Sequence, residues 1–283
     1  MRVAFLGPEG TFSEEALLAS PFGEGAEPVP QATIFDCVMA VQEGTADRAL
    51  VPIENSLEGS VNATVDALVF EATDVAIVGE LVHPIRHCLI AHDELELQAI
   101  ERVLSHPQAS GQCRRFLLER LPQAEVVPAD STADAVRIVA REARPWAALG
   151  PRLAAELYGA RILLDGVEDH PDNETRFALL ERAGHGGWTP YAPIADAWKT
   201  SVAFWGLPDA PGSLVSALQE FAGRGVNLSR IESRPRREGL GRYIFFADLE
   251  GHVSEPPIAE ALAAIEASAE TLRILGCYPA AAP

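Results

Sequence analysis

The sequence predicts an α/β fold over residues 1–182, a linker at 183–198 and a smaller α+β unit over 199–278. Three observations carry that prediction. Short apolar runs alternate with helical patterns as far as residue 182, the order expected of strands joined by crossover helices in a mainly parallel sheet. Ala183-Gly184-His185-Gly186-Gly187-Trp188-Thr189-Pro190 then breaks the pattern with glycine and proline. Beyond it the order is strand, helix, strand, strand, helix, strand, a ferredoxin-like βαββαβ unit.

In the first part, strands are expected at Val3–Leu6, Arg48–Ile53, Val75–Val82, His87–Ala91, Arg102–Ser105, Ala147–Leu149, Arg161–Leu164 and Thr175–Leu180. Thr11-Phe12-Ser13-Glu14 has the T-x-x-E spacing of a capping box and opens a helix to about Ala19. Pro107 starts a helix carrying Cys113, Phe116 and Leu117, and Asp130 or Ser131 caps another over Ala133–Arg141. Pro151 starts and Gly159 stops a short one. In the linker, Trp188 and Tyr191 suggest a segment that packs.

In the second part, Val202 and Phe204 alternate along a strand, and Pro211 begins a helix with Leu214, Val215, Leu218 and Phe221 on one face, stopped at Gly223. A strand follows around Val226–Ile231, and another alternates Tyr243, Phe245, Ala247 and Leu249. Pro256-Pro257 opens a helix whose Ile258, Ala261, Leu262 and Ile265 share a face, and Thr271–Cys277 closes as a strand.

Composition narrows the function classes. The 283 residues are 48% hydrophobic, enough for two packed domains. A net charge of −19 argues against nucleic acid and anionic membrane as partners, because both bind through basic surface. No run approaches the ~20 apolar residues of a membrane span, and Met1-Arg2-Val3-Ala4-Phe5-Leu6-Gly7 reads as a strand meeting a glycine turn rather than a signal peptide. Cys37, Cys88, Cys113 and Cys277 lack C-x-x-C spacing and read as buried free thiols of a reducing cytoplasm. His83, His87 and His92 cross a proline and an expected hairpin, so they do not share a helix face as metal ligands would. There is no G-x-S-x-G elbow, since Glu58-Gly59-Ser60-Val61-Asn62 lacks the second glycine. Gly7-Pro8-Glu9-Gly10 occupies a Rossmann-like position without G-x-G-x-x-G, and the G-x-x-x-x-G-K-[ST] phosphate loop is also absent.

What remains is a set of mostly uncharged polar clusters at strand ends: Gly7–Ser13, Glu54-Asn55-Ser56, Ser105-His106-Pro107-Gln108 and Asn173-Glu174-Thr175-Arg176. Ligands of open α/β sheets bind at the carboxyl ends of strands, beside helix N-termini whose N–H groups suit a carboxylate. Each cluster alone is also ordinary turn and cap chemistry. Four together, with Arg176 as a fixed cation, favour a small anionic ligand in a shared cleft.

These clusters resemble the ordered motifs of the prephenate dehydratase family: Gly7-Pro8-Glu9-Gly10-Thr11-Phe12-Ser13, Pro52-Ile53-Glu54-Asn55-Ser56, Ser105-His106-Pro107-Gln108 and Thr175-Arg176-Phe177. Pro211-Gly212-Ser213-Leu214-Val215 and Glu232-Ser233-Arg234-Pro235 resemble the regulatory ACT domain fused to it, with Ser213 where an alanine is usual. The likeness covers residues 1–278 and lacks a helical chorismate-mutase segment, so the chain looks like the monofunctional form. It implies a catalytic part of two α/β lobes, similar to periplasmic binding proteins, with substrate in the cleft between them. Lobe 1 would take residues 1–78 and 165–182, and lobe 2 residues 79–164.

The resemblance further implies a reaction. Prephenate loses its ring carboxylate as CO₂ and its hydroxyl as water to give phenylpyruvate, driven by aromatisation and without a cofactor or metal. Thr175 would be the catalytic hydroxyl, a positioned hydrogen-bond donor to the leaving group. Thr11, Ser13, Asn55, Ser56, His106, Gln108 and Asn173 are candidate donors around the dicarboxylate. Arg176 either holds a substrate carboxylate or forms a structural ion pair, and His106 is either a proton donor or an ordinary cap. L-Phenylalanine would regulate the enzyme from a site where two ACT units meet in a homodimer or homotetramer. Pro211, Gly212, Ser213, Leu214 and Val215 would face Asn227, Leu228 and Ser229 there, steadied by Glu232 and Ser233. Alternatives are an arogenate dehydratase and a cytoplasmic small-molecule binding or sensor protein on the same scaffold.

Overall fold

The computed structural model describes residues 1–183 and 197–281, and the expected packing of Trp188 and Tyr191 lies outside the described residues. The chain divides into two units, Met1–Thr64 with Val82–Phe177, and Val65–Leu81 with Ala178–Pro283.

The first unit opens with β1 (Arg2–Leu6), α1 (Phe12–Leu18), β2 (Glu27–Gln31), α2 (Ile34–Gln42), β3 (Arg48–Asn55) and β4 (Gly59–Ser60). β1 lies between β2 and β3, parallel to both. Its Val3, Ala4 and Phe5 are fully buried, as a strand covered on both faces requires. β2 escapes the sequence pattern because Pro28 and Pro30 interrupt it, and proline inside a strand is tolerated at an edge. At the mouth of β1 the backbone of β2 comes so close that a Cβ on Gly7 would sit 2.9 Å from the Pro30 Cβ. The T-x-x-E reading of the next turn is corrected. Thr11 is the N-cap of α1 by backbone, but its hydroxyl donates to the Leu6 carbonyl at 2.8 Å, while the Glu14 carboxylate accepts from the Gly10 N–H at 2.5 Å.

α3 (Asn62–Phe70) and β5 (Val75–Pro84) contribute residues to both units. A second sheet of the first unit follows: β6 (Cys88–Ala91), β7 (Arg102–Ser105), α4 (Pro107–Gln112), α5 (Arg114–Arg120), β8 (Glu125–Pro128), α6 (Thr132–Glu142), β9 (Trp146–Gly150), α7 (Arg152–Tyr158) and β10 (Arg161–Leu164). Its order is β10-β6-β9-β7-β8. β7 runs parallel to β8 and β9, whereas β6 runs antiparallel to β9 and β10. The expected mainly parallel sheet is thus mixed in this lobe. Only strands joined by a long crossover are obliged to run parallel.

Alternation sorts this sheet's side chains. Cys88, Ile90, Leu104 and Ala148 pack with α6 and α7 on one face, and Leu89, Val103, Ala147 and Leu149 pack with α5 on the other. The four cysteines are buried free thiols, and burial pushes Cys37 and Cys88 up to about 12. Ser131, rather than Asp130, caps α6, its hydroxyl accepting from the Asp134 N–H at 2.9 Å. The helix expected from Pro107 onward breaks at Cys113 into α4 and α5.

The second unit adds β11 (Glu174–Arg182, of which 178–182 belong here), β12 (Trp198–Trp205), α8 (Ser213–Ala222), β13 (Leu228–Pro235), β14 (Tyr243–Glu250), α9 (Pro256–Ser268) and β15 (Thr271–Pro279). β13-β14-β12-β15 is an antiparallel βαββαβ sheet, as expected, and α8 and α9 bury Ala217, Phe221, Ile258, Leu262 and Ile265 against it. Gly223 closes α8 in ordinary helical conformation, and the left-handed residue is Gly225. β15 then pairs in parallel with β5 at Gly276 and Ile77, so close that a Cβ on Gly276 would lie 2.2 Å from the Ile77 carbonyl oxygen. The Arg273 guanidinium donates to the carbonyls of Leu68, Ala72 and Thr73 at 2.6, 2.8 and 3.0 Å, filling the acceptors left open at the C-terminus of α3. Arg234 pairs with Asp66 at 2.9 Å, and Arg237 pairs with Asp66 and lies 4.4 Å from the centre of the Phe70 ring.

Candidate active site

A cleft of about 400 Å³ opens in the first unit. It lies within the 300–1,000 Å³ usual for small-ligand sites. The ends of β1 and β3 supply Leu6, Gly7 and Asn55, and the start of β11 supplies Thr175 and Phe177. The first turns of α1, α4 and α6 bring Thr11, Phe12, Ser13, Gln108, Ala109 and Thr132, with His106 and Ser131 at the caps.

The centre of the site is an amide relay. Asn55 Oδ1 accepts the N–H groups of Leu57 and Glu58, both at 3.0 Å, which fixes the other end of its amide as the donor. That Nδ2 lies 2.9 Å from Asn173 Oδ1, 3.0 Å from the Glu174 carbonyl and 2.9 Å from Thr175 Oγ1. Asn173 is fully buried and donates through Nδ2 to Gln112 Oε1 at 3.2 Å. The same Gln112 oxygen takes a hydrogen bond from His87 Nε2 at 2.9 Å, and Gln112 Nε2 reaches Glu58 at 3.5 Å. The consequence for Thr175 is directional. Its oxygen accepts from Asn55, and no acceptor among the described residues takes its proton. Thr175 is 8% exposed and lines the cleft, so that proton is left for a ligand.

Several expected residues meet here and several do not. Thr11, Ser13, Asn55, His106, Gln108 and Thr175 line the cleft. Asn173 stands behind the lining within the relay. Ser56 bridges to β11, its hydroxyl accepting from the Glu174 N–H at 3.0 Å and its own N–H donating to the Glu174 carbonyl at 2.9 Å. Arg176 is off the lining, and its guanidinium holds Glu54 through Nε and an Nη at 3.1 Å. Strand geometry explains this, since Thr175 and Phe177 face the cleft and the residue between them faces away. His106 Nδ1 accepts the Gln108 N–H at 3.3 Å as the cap of α4 while the ring also lines the cleft.

Sequence reasoning missed His87 and Gln112. Gln112 was hidden in a helix that read as packing, although a glutamine beside buried Cys113 and one turn from buried Ala109 is the one polar residue on an apolar face. His87 read as one member of a histidine cluster. In the structure His83 pairs with Glu15, His87 with Gln112 and His92 with the Ala140 carbonyl. Among the described residues, no group of three or more His, Cys, Asp and Glu is placed to hold a metal ion.

The charge of the lining is also unexpected. Among the described residues, no arginine or lysine lines this cleft, and Asp130 is its one carboxylate. Donors are hydroxyls, amides and backbone N–H groups at helix starts.

The residues expected to bind an effector all lie in the second unit. Pro211 and Gly212 precede α8, with Gly212 at φ +90°, and Ser213, Leu214 and Val215 form its first turn. A cavity of about 580 Å³ includes Ser213 and Leu214 with Leu207, Arg236, Tyr243 and Glu270. Asn227 precedes β13, which carries Leu228, Ser229, Glu232 and Ser233, and Glu232 is paired with Arg230.

Comparison with known proteins agrees with this architecture. A profile of the prephenate dehydratase family matches residues 3–185, and one of the ACT domain matches residues 200–267. The prephenate dehydratase of Mycolicibacterium vanbaalenii is 40% identical, over 98% of this chain and 90% of that one. The crystal structure of prephenate dehydratase from Arthrobacter aurescens in complex with L-Phe superposes with a TM-score of 0.89 at 39% identity, over 99% of this chain and 90% of that one. A structure described as a quorum-quenching acylase, GqqA, superposes with a TM-score of 0.87 at 33% identity, over 100% of this chain and 99% of that one. With a dehydratase profile spanning most of its length and relatives alike from end to end, the chain belongs to the prephenate dehydratase family.

Proposed function

We propose that this chain is a lyase that converts prephenate to phenylpyruvate, with Thr175 as the donor to the departing hydroxyl. The single observation that carries the proposal is the Thr175 hydroxyl, held as an acceptor by Asn55 with its proton left for a ligand. As the bond from the ring to its carboxylate breaks, its electron pair completes the aromatic ring and expels the C4 oxygen. Prephenate dianion and one proton give phenylpyruvate anion, CO₂ and water. A hydrogen bond to that oxygen strengthens as it gains charge, which is where a prearranged donor accelerates a reaction. Threonine is too weak an acid to surrender its proton outright, so the proton consumed comes finally from solvent.

The uncharged lining suits the other half of the reaction. A carboxylate that must leave as CO₂ is stabilised by a cation and held back by it. The backbone N–H groups at the start of α1, the Ser13 hydroxyl, the Gln108 side-chain amide and the start of α6 orient the dicarboxylate without that penalty. His106 capping α4 through Nδ1 keeps its Nε2 side for the ligand. Arg176, engaged with Glu54, acts on the cleft through the strand it anchors.

The likeness to GqqA raises amide hydrolysis as a second possibility. A hydrolase of that type needs a nucleophile next to a base. Among the described residues, no hydroxyl or thiol of the cleft hydrogen-bonds a histidine or a carboxylate, so the lyase is favoured. The L-Phe complex of the Arthrobacter relative and the ACT profile support L-phenylalanine as the effector of this chain too, bound in the second unit near the start of α8. An effector site shared between ACT units would make the working protein at least a dimer.

Purified protein incubated with prephenate should generate phenylpyruvate, followed by its absorbance in alkali. Parallel reactions with arogenate and with an acylated homoserine lactone separate the alternatives. Turnover of either in place of prephenate would overturn the proposal.

A further inference from the structure

His87 is 2% exposed, at the start of β6, with its ring edge-on to Phe12 at 5.1 Å between centres. Its Nε2 is 2.9 Å from Gln112 Oε1, while its Nδ1 is buried with no hydrogen-bond partner among the described residues. A ring nitrogen buried without a partner is a cost that packing does not require, since leucine or phenylalanine would fill the same volume. The other ring nitrogen must therefore be what the position needs. Gln112 Oε1 is also the acceptor of Asn173 Nδ2 at 3.2 Å, so the glutamine presents oxygen to both neighbours and His87 must be the donor. The direction of the Asn173 link follows, and it agrees with the one that the Leu57 and Glu58 N–H groups impose on Asn55. Asn173 gives its N–H to Gln112 and turns Oδ1 to Asn55, and Asn55 turns Nδ2 to Thr175.

We propose that His87 is a positioning residue for Thr175: its Nε2–H holds Gln112 Oε1 toward Asn173, so that Asn173 Oδ1 meets the Asn55 Nδ2 whose direction the Leu57 and Glu58 N–H groups fix, and the threonine hydroxyl accepts from the protein and donates to the substrate. The opposite tautomer would offer Gln112 a lone pair, turn its NH₂ inward against the NH₂ of Asn173 and break the relay. Burial keeps the ring neutral. Burial pushes the imidazole below its usual range, against the pull of the Gln112 hydrogen bond and of Glu168 and Glu15. Glu168 spends one oxygen on the His87 backbone N–H at 2.9 Å and the other on Arg86, and Glu58 is held by Gln112. The inference rests on the reaction proposed for Thr175.

Nitrogen-15 spectra of the wild-type protein, labelled at histidine, should show His87 as the neutral Nε2–H tautomer at pH 7. An Nδ1–H tautomer or an imidazolium would overturn the proposal, whatever the variants do. Three variants then divide its two nitrogens. The amide of His87→Gln reaches the place of Nε2, that of His87→Asn reaches only the place of Nδ1, and His87→Leu has neither. The expected result is a kcat within about threefold of wild type for His87→Gln. His87→Asn and His87→Leu should fall roughly 10–100-fold, the range seen when an outer hydrogen-bond partner of a site residue is lost, with KM for prephenate little changed. Rescue by asparagine and not glutamine, or equal kcat in all three, would overturn the role of His87. Absence of prephenate turnover in the wild type would instead overturn the reaction, which the spectra do not depend on.

Discussion

Around Thr175 the polar groups are amides and hydroxyls, whereas around α3 they are arginines with their carboxylate and carbonyl partners. The relay from His87 to Thr175 contains no charged member. The attachment of α3 rests on Arg273 over its last carbonyls and on Arg234 and Arg237 at Asp66. Neutral hydrogen bonds between buried amides fix direction, because each amide has one donor end and one acceptor end. Ion pairs such as the two-point Arg234–Asp66 contact fix position through charge, and salt and acid weaken them. The cleft therefore uses the first kind, where a proton must point one way.

The sharpest way to break the cleft's half of the comparison is Asn55→Asp. It keeps the shape, replaces the donor with a carboxylate and turns the Thr175 proton inward. Loss of one prearranged donor typically costs about 10²–10³ in kcat, and steady-state kinetics on prephenate should show a fall of that order with secondary structure intact by circular dichroism. Retained activity would mean the relay's direction is irrelevant.

For the other half, Arg273→Ala removes the donor to the Leu68 carbonyl in the last turn of α3 and to that of buried Ala72 just beyond it. Each buried unsatisfied group costs about 1–3 kcal/mol, so urea unfolding should show a loss of at least that size. Removing everything beyond residue 196 deletes Arg273 and β15 together. Such a truncation should leave α3 and β5 uncovered and the remaining core unstable.

A smaller effect separates the two regions by pH. Burial pushes the Asp66 carboxyl up, but hydrogen bonds from Arg234 and Arg237 outweigh it and hold the group below its usual range. A carboxylate whose pKa is lower folded than unfolded adds stability above the unfolded value and loses it as pH falls through the folded one. The stability of wild type should thus decline below about pH 4 more steeply than that of Asp66→Asn, as thermal melts across pH would record. Equal slopes would remove Asp66 from the account.

The smallest expected change is for Arg176→Gln. If the guanidinium serves Glu54, KM for prephenate should move less than about threefold and stability by about 0.2–1 kcal/mol, the range of partly exposed pairs. A KM raised a hundredfold would return Arg176 to the substrate.

The same contrast explains how much was legible beforehand. Thr175 and Asn55 were readable as polar residues at strand ends, and Thr11 and Ser13 as polar residues at a helix start, where local pattern and cleft lining coincide. His87 and Gln112 were not, because their partners lie 25 and 61 positions apart in sequence and only the fold brings them together. Arg176 was half legible: its charge stood out, but strand alternation turned it from the cleft. The βαββαβ unit followed from period and turns. The attachment of α3 to the last strand left no local trace, because Arg273 and Gly276 are ordinary residues of a strand until its neighbours are known.

The central claim is that one aligned hydroxyl at position 175 does the work. Thr175→Val keeps the shape and deletes only that hydroxyl, and Thr175→Ser keeps the hydroxyl and deletes a methyl group. Measured side by side on prephenate, Thr175→Val should lose about 10²–10⁴ in kcat, with KM near wild type, while Thr175→Ser retains most of the rate. A Thr175→Val enzyme holding more than half of the wild-type kcat would contradict the account.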